Sequence, residues 1–324
     1  MGGDFAPNAV VQGALDAINK SSKPLNLILV GDETAIRSEL AGRENDAIEI
    51  VHTDEVVTME DKGSKVLKSK PNSSLVRGIR MVKEGRADGF ISAGHTGAIM
   101  STTLLSLGRI PGVRRPALAA YFPTEKRGKI LCDVGVNPDA KPEHLVQFAL
   151  MASHYYDHVE GFAAPKIGLI NIGTEPSKGS ELYVETYKLL SEMPNFVGNI
   201  EGRHLLTSEA DVLICDGFVG NTLLKFAESW ITFFADEIKD KINEKLSYKI
   251  GAGLMKPIFD DLKAKYDYEE HGGTPLLGVN GISIVCHGSS GPKSIMNSIF
   301  LGQKCIENNL IEDTQKSLAI HFGH

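Results

Sequence analysis

Short apolar runs alternate with stretches of helical periodicity along most of this 324-residue chain. The runs are predicted strands, at residues 25–30, 47–51, 88–92, 129–134, 166–171, 211–215 and 282–286. Their apolar residues are continuous, which is typical of a sheet covered on both faces. Helical periodicity follows at residues 10–19, 74–84, 97–107, 143–156, 181–192 and 294–308. This alternation predicts a three-layer α/β/α fold with a mostly parallel sheet.

Two segments depart from the simple alternation. Residues 116–122 run into the strand at 129–134 across a short turn, which favours a local hairpin. Residues 222–246 form a long amphipathic helix, an apolar glycine-containing tip follows at 247–257, and a second helix covers 258–266. We therefore expect one domain over residues 1–324 that carries a helical hairpin at 222–266.

The apolar face of this hairpin has two interpretations. It could fold onto the core of its own chain. It could instead form a homodimer interface whose tip contacts an anionic membrane, because Ile250, Leu254 and Met255 are flanked by Lys249 and Lys256.

Charge and apolar patterning exclude several classes of protein. The formal net charge is −7, which is unfavourable for binding nucleic acid. No apolar run approaches the ~18 residues that a transmembrane helix needs, and the N-terminus has no signal-peptide pattern. The four cysteines are isolated and three lie in strand-like runs, so buried reduced thiols are expected rather than a nucleophile. These features predict a cytoplasmic protein.

Glycine-rich polar segments follow the predicted strands, where an open parallel sheet binds its ligands. Small residues there let backbone N–H groups and helix N-termini approach an anion. One such segment opens the chain at Gly2. The others cover residues 93–98, 135–137, 172–179, 216–221 and 287–294. None is a Walker A loop or a GxGxxG motif, so the set indicates a small oxyanion rather than a nucleotide.

Histidines provide no metal signature. His154 and His158 lie four residues apart on a predicted helix, a spacing that favours packing or a solvated surface here. His95, His271 and His287 occur in glycine-rich loops and could serve in acid–base chemistry or simply be satisfied loop residues. We predict no metal and no cofactor.

Taken in order, the loops resemble one bacterial family. MGGDFAP, SAGHTGA, CDVGVN, NIGTEPSKG, DGFVGN, GGTPLLGVNG and HGSSGPKS are similar to segments of the acyl-[acyl carrier protein]:phosphate acyltransferases, from Gly2 to about Asn308. The resemblance implies transfer of a fatty acyl group from acyl carrier protein to inorganic phosphate. The acyl phosphate would then feed a glycerol-3-phosphate acyltransferase in phospholipid synthesis. It also implies a homodimer of the isopropylmalate dehydrogenase and phosphotransacetylase fold that associates peripherally with the membrane.

Two positions differ from the family pattern. The resemblance implies a short strand ending in Asp-Ala before the MGGD motif, whereas this sequence starts at Met1. It also implies an Asn in the loop where this chain has His95, whose imidazole can still donate one hydrogen bond.

Roles for individual residues follow from the resemblance as hypotheses. Lys178 would bind phosphate with the HGSSG turn, and Asn221 would stabilise the oxyanion with the backbone of residues 94–97. Asp133 and Asp216 would orient Lys178 or His287. Asn221 could alternatively cap the helix that begins there. The full candidate set is Lys178, Asn221 and His287 as catalytic residues, Gly94, His95, Thr96, Gly97, Gly288, Ser289 and Ser290 for phosphate, and Asp4, Asp133, Asn137 and Asp216 in support.

A basic stretch at residues 109–129 suits an acidic carrier protein. Its candidate docking residues are Arg109, Arg114, Arg115, Lys126 and Arg127. Scattered surface ion pairing is the alternative.

Other functions remain open at this point. A phosphate acetyltransferase would use a coenzyme A thioester instead of a carrier protein. A non-catalytic membrane scaffold would use the hairpin alone. A dehydrogenase of related fold is disfavoured because the dinucleotide fingerprint is missing.

Overall fold

The computed structural model describes residues 1–124 and 127–322, without the side chains of Lys263 and Tyr268. The strands are β1 Leu27–Gly31, β2 Ile48–His52, β3 Gly89–Ser92, β4 Ala117–Phe122, β5 Lys129–Cys132, β6 Ile167–Asn171, β7 Phe196–Glu201, β8 Val212–Ile214, β9 Thr274–Leu277 and β10 Ile282–Val285. The helices are α1 Asn8–Lys20, α2 Glu33–Leu40, α3 Val66–Ser69, α4 Ser74–Lys83, α5 Thr96–Leu107, α6 Pro142–Glu160, α7 Glu181–Leu190, α8 Gly217–Glu244, α9 Leu246–Tyr266, α10 Pro292–Glu307 and α11 Leu310–Phe322.

The main sheet has eight strands in the order β3-β10-β9-β4-β5-β8-β6-β7. Pairing is parallel between β3 and β10 and along β5-β8-β6-β7. It is antiparallel from β10 through β9 and β4 to β5. The predicted mostly parallel α/β sheet is confirmed, and so is the β4–β5 hairpin, in which Ala119 pairs with Cys132.

Successive residues of the central strands pack on opposite faces of the sheet. Ile130 and Cys132 belong to a core with Phe148 of α6, whereas Leu131 belongs to a second core with Ile99 of α5. Both cores are buried, which explains why the strand sequences are continuously apolar. Helices therefore cover the two faces and complete three layers.

The helical hairpin differs from its predicted outline. The segment 247–257, expected as a non-helical tip, is part of α9, and the chain reverses at Lys245 between the two helices. The tip prediction is wrong because Ile250, Leu254 and Ile258 continue the helical four-residue spacing through the two glycines. Sequence analysis also missed β7, β9, α2, α3 and α11.

The apolar face of the hairpin does not fold onto the core of its own chain. Phe226, Trp230 and Leu254 are 63%, 53% and 81% exposed. The interpretation of a hairpin packed on its own core is therefore wrong for the described protomer. Among the described residues, no helix combines the length and the apolar character that crossing a membrane requires.

Strands β1 and β2 pair in parallel as a separate small sheet. A cavity of about 800 Å³ lies between β1 and the edge strand β3, and side chains of α1, α4 and α10 also line it. Gly2, Gly3 and Gly94 line this cavity, so it borders two of the glycine-rich segments predicted to bind an anion.

Candidate active site

Three glycine-containing segments meet beside the carboxyl ends of β3 and β10. We call residues 2–4, 94–97 and 287–290 the glycine-loop group. The Asp4 N–H donates to the Gly288 carbonyl at 2.8 Å, and the Cys286 N–H donates to the Ser92 carbonyl at 2.9 Å. A methyl group on Gly3 would lie 3.1 Å from the Ala93 carbonyl oxygen, so the segments pack backbone against backbone. The three segments therefore lie together beside these two strand ends.

His95 caps helix α5 with its side chain. Its Nδ1 accepts a hydrogen bond from the Ala98 N–H at 3.3 Å, and its Nε2 lies 3.1 Å from the carbonyl oxygen of Asp61. Because Nδ1 accepts, Nε2 carries the proton and donates to Asp61. Neither ring nitrogen is left for phosphate, so the expectation that this side chain donates to the anion is wrong. The amides of Thr96 and Gly97 remain at the open end of the helix.

The turn after β10 places a hydroxyl beside an imidazole. Ser289 Oγ lies 2.7 Å from His287 Nδ1, and the Ser290 N–H donates to the His287 carbonyl at 3.0 Å. His287 is exposed, whereas Ser290 is buried and accepts from the Ser294 hydroxyl at 3.2 Å. The turn therefore places the half-buried Ser289 side chain at the start of α10, while the N–H groups of Ser289, Ser290 and Gly291 donate within the protein.

The second set of candidates surrounds a buried carboxylate. We call Asp133, Asn137, Lys178, Asp216 and Asn221 the Asp133 group. Gly220 of α8 would place a methyl group 1.9 Å from the Asp133 carbonyl oxygen, and the Gly217 N–H donates to the Asn137 carbonyl at 2.9 Å. The start of α8 therefore packs directly on the loop that follows β5.

Asp133 is fully buried and holds this loop together. Its carboxylate accepts from the backbone N–H groups of Leu118, Val136 and Asn137 and from Asn137 Nδ2, at 2.7–3.2 Å. Burial raises the pKa of Asp133, and these donors oppose the rise by favouring the charged form. The expected role of Asp133 in orienting Lys178 or His287 is therefore wrong, since its oxygens bind neither.

Asp216 is the N-cap of α8. Its Oδ1 accepts from the Phe218 and Val219 N–H groups at 2.9 and 3.0 Å, and its Oδ2 accepts from the Tyr183 hydroxyl at 2.6 Å. Burial raises the pKa of Tyr183, so the phenol keeps its proton and donates. Asp216 therefore does not orient Lys178 or His287 either, and the alternative of Asn221 as the helix cap is wrong because the helix begins at Gly217.

Lys178 and Asn221 are both exposed. The Asn171 Nδ2 donates to the Lys178 carbonyl at 2.9 Å, and the Asn199 Nδ2 donates to the Glu175 carbonyl at 2.9 Å. Two buried asparagines on β6 and β7 thus anchor the loop that carries Lys178. The loop is placed by the sheet, while the lysine side chain is free to meet a ligand or partner.

The two groups lie at opposite ends of the strands of the main sheet. Antiparallel pairing through β9 and β4 reverses the chain direction. The carboxyl ends of β3 and β10 therefore lie at one end of the sheet, and those of β5, β8 and β6 lie at the other end. Three strand spacings and the strand length put the groups on the order of 20 Å apart. The sequence-based hypothesis required Lys178 and Asn221 to lie near the HGSSG turn. Within one protomer they do not.

The residues of the basic stretch also lie at both ends of the sheet, some before β4 and one after it. Arg109, Arg114 and Arg115 precede β4 and are exposed, and Arg114 pairs with Glu143 at 3.0 Å. Arg127 lies at the other end of β4, about 17 Å away, where it pairs with the buried Asp211 at 2.7 Å. The expectation of one docking patch is therefore wrong; Lys126 lies outside the described residues.

The remaining titratable candidates are structural. All four cysteines are buried, as predicted, and burial raises the pKa of Cys286 to about 11 and of Cys305 to about 12. His271 stacks on Tyr121 with ring centroids 3.8 Å apart, and burial lowers its pKa. His158 Nε2 lies 3.4 Å from an Asp313 carboxylate oxygen. Within residues 1–124 and 127–322, no cluster of His, Cys, Asp and Glu could hold a metal ion.

Sequence analysis missed the segment 57–65, which covers the first turn of α5. A methyl group on Gly63 would lie 2.8 Å from the Ala98 amide nitrogen, and one on Gly2 would lie 3.2 Å from the Val57 carbonyl oxygen. We call residues 57–65 the strap. The segment has little regular periodicity, and Gly63 was its only local signal of a close backbone approach.

Solved structures show the class of fold. A phosphotransacetylase from Streptococcus pyogenes is 17% identical, with a TM-score of 0.59, over 92% of this chain and 91% of that one. A branched-chain phosphotransacylase from Enterococcus faecalis is 15% identical, with a TM-score of 0.58, over 94% and 96%. At this level of identity the likeness defines a phosphotransacetylase-type α/β fold.

Sequence relatives define the family. The family described as "Fatty acid synthesis protein" matches residues 1–313. The phosphate acyltransferase of Desulfitobacterium hafniense is 47% identical over 321 residues, which cover 98% of this chain and 96% of that protein. The phosphate acyltransferase of Moorella thermoacetica is 46% identical over 317 residues, with 96% and 92% covered. The chain is therefore a member of the fatty acid synthesis protein family and an enzyme of the acyltransferase class.

Proposed function

We propose that this enzyme transfers a long-chain fatty acyl group from acyl carrier protein to inorganic phosphate, giving acyl phosphate for phospholipid synthesis. The observation that carries the proposal is the glycine-loop group, where the starts of α5 and α10 follow the paired strands β3 and β10 and the Cys286 N–H donates to the Ser92 carbonyl. Two helix N-termini beside one another favour a compact anion. The names of the relatives supply the acceptor.

The chemistry requires one bond to form and one to break. A phosphate oxygen attacks the thioester carbonyl carbon, and the tetrahedral intermediate collapses with cleavage of the carbon–sulfur bond. The leaving sulfur takes up the proton that the attacking hydrogen phosphate loses and departs as free carrier thiol. Because a thiol has a pKa near ~8.5, little acid assistance is needed, and N–H donors to the oxyanion carry most of the rate enhancement.

We assign phosphate to the amides of Thr96 and Gly97 and to the Ser289 hydroxyl. His287 Nδ1 accepts from the Ser289 N–H at 3.3 Å, so the hydroxyl 2.7 Å away donates to Nδ1 in this structure and would turn its proton to bound phosphate. Bound phosphate would thus meet donors from both loops of the glycine-loop group, as electrostatic preorganisation requires.

Lys178 and Asn221 enter the proposal through a homodimer. Both are exposed, and both lie at the end of the sheet from which α8 extends. The exposed aromatic face of α8, including Phe226 and Trp230, is of a kind that pairs with a second copy. We propose that this pairing places Lys178 and Asn221 of the Asp133 group of one protomer at the glycine-loop group of its partner.

Two surfaces would meet larger partners. Arg109, Arg114 and Arg115 would steer the acidic carrier protein to the end of the sheet that holds Asn221. Ile250, Leu254 and Met255 of α9 are exposed beside lysines, and they would hold the enzyme peripherally on an anionic membrane. Product would then be released near the next acyltransferase of the pathway.

The test mixes purified protein with palmitoyl-carrier protein and phosphate. We expect carrier thiol to be released only when phosphate is present, together with an acyl phosphate that hydroxylamine traps. Acetyl-coenzyme A is the matched substrate control. Turnover of acetyl-coenzyme A alone would identify a phosphate acetyltransferase, and no turnover of either thioester would overturn the proposed donor.

A further inference from the structure

We propose that His95 is a positioning residue that fastens the strap onto the first turn of α5 and so keeps the phosphate-binding amides in place. The proposal rests on the proposed phosphate site at that turn. Its structural basis is that one imidazole serves two backbone groups from different segments, the Ala98 N–H at 3.3 Å and the Asp61 carbonyl at 3.1 Å.

The strap is a closed unit on its other side. The Asp61 carboxylate accepts from the Thr58 N–H at 2.7 Å and from Lys70 Nζ at 2.6 Å. Lys70 Nζ also donates to the Val56 carbonyl at 2.8 Å. The strap therefore keeps its shape through Asp61, and His95 joins that shape to the helix.

The contact of the strap with the helix leaves no spare room. A methyl group on Gly63 would lie 2.8 Å from the carbonyl carbon of Gly97 and the amide nitrogen of Ala98. Such a distance is shorter than non-bonded atoms tolerate, so the strap must lie flat on the turn that bears the Thr96 and Gly97 amides. If the strap moves away, the first turn of α5 loses the packing contact that holds its amides in position.

Substitution of His95 by asparagine or by glutamine separates its two contacts, because each variant keeps only one of them. The asparagine amide occupies the position of Nδ1, so His95→Asn keeps the helix cap and loses the reach to Asp61. The glutamine amide occupies the position of Nε2, so His95→Gln keeps the reach and loses the cap. A general loss of stability would not separate the two variants in this way.

The first measurement is hydrogen–deuterium exchange of peptides covering residues 57–66, in the full protein with and without inorganic phosphate. We expect His95→Asn to raise exchange in the strap roughly fivefold and His95→Gln to leave it close to the unmodified protein. His204→Asn, at an exposed histidine after β7, is the matched control. Equal strap exchange in His95→Asn and the unmodified protein would overturn the proposal.

The second measurement is steady-state kinetics with palmitoyl-carrier protein. His95→Asn should raise the phosphate KM roughly fivefold and change kcat by less than about twofold. Gly63→Ala, which lifts the strap by collision, should raise the phosphate KM in the same direction. An unchanged phosphate KM in both variants would overturn the positioning role. The exchange measurement needs no turnover, so it decides the strap contact even if the proposed reaction is not found.

Discussion

Asp133 illustrates how a candidate site residue can serve the fold instead of the chemistry. It follows β5 in the segment CDVGVN, and the sequence-based hypothesis had it orient Lys178 or His287. In the structure both oxygens are occupied by donors of the same loop and of β4. The carboxylate is the acceptor around which the loop folds, and a catalytic proton would have no access to it.

Asp133→Asn should therefore destabilise the protein. The amide replaces one acceptor oxygen with an NH₂ group, which leaves buried N–H donors without a partner and costs about 2–3 kcal/mol. Urea unfolding measures the change, and Asp139→Asn, at an exposed aspartate in the same loop region, is the control. An unfolding free energy equal to that of the control variant would contradict this role.

The helical hairpin of α8 and α9 is the element whose sequence and environment disagree most within one protomer. Aromatic and aliphatic side chains at helical spacing normally mark a buried face. Here that face is exposed along both helices, with Leu246 75% and Leu254 81% accessible. An apolar surface of this extent is typical of an interface, either with another copy or with lipid.

Replacing Ile250, Leu254 and Met255 together with Asp should weaken binding to phosphatidylglycerol vesicles at least about tenfold, because each change removes buried CH₂ groups and adds a negative charge. Flotation with vesicles measures binding. Ile320→Asp, at an 84% exposed isoleucine of α11, is the control. Sedimentation shows whether the variant keeps its oligomeric state. Unchanged flotation would remove α9 from the proposed membrane contact.

The segment before β4 carries the remaining basic docking surface. Arg114→Glu and Arg115→Glu together should raise the KM for palmitoyl-carrier protein about tenfold and flatten its dependence on salt, because steering by opposite charge is lost. Arg80→Glu together with Lys83→Glu, at two exposed positions of α4, is a control of equal charge change. If the two variants gave the same KM and salt dependence, carrier docking would have to be placed elsewhere.

At the scale of the whole molecule, the direction of the strands decides which loops can cooperate. The glycine-loop group and the Asp133 group lie at opposite ends of the strands because β9 and β4 are antiparallel to their neighbours. In the proposed dimer, the twofold axis would bring the Asp133 group of each protomer to the glycine-loop group of its partner. Each molecule would then hold two composite sites.

Mixed dimers test this arrangement directly. Lys178→Ala and Ser289→Ala should each lower activity strongly in the pure variants. A dimer with one protomer of each, isolated through two different tags, should regain about half the activity of the unmodified dimer, because one composite site is then intact. If both groups acted within one protomer, the mixed dimer would stay as inactive as its parents.

The sequence by itself determined the layered α/β class, most strand and helix positions, the buried cysteines and the family. Those features depend on local periodicity and on ordered motifs, which the printed residues carry directly. It could not place β7 or β9, whose short runs carry weak signals, or the roles of Asp133, Asp216 and His95. Only the tertiary structure decided those roles and the separation of the two loop groups, because hydrogen-bond partners and strand direction depend on residues distant in sequence.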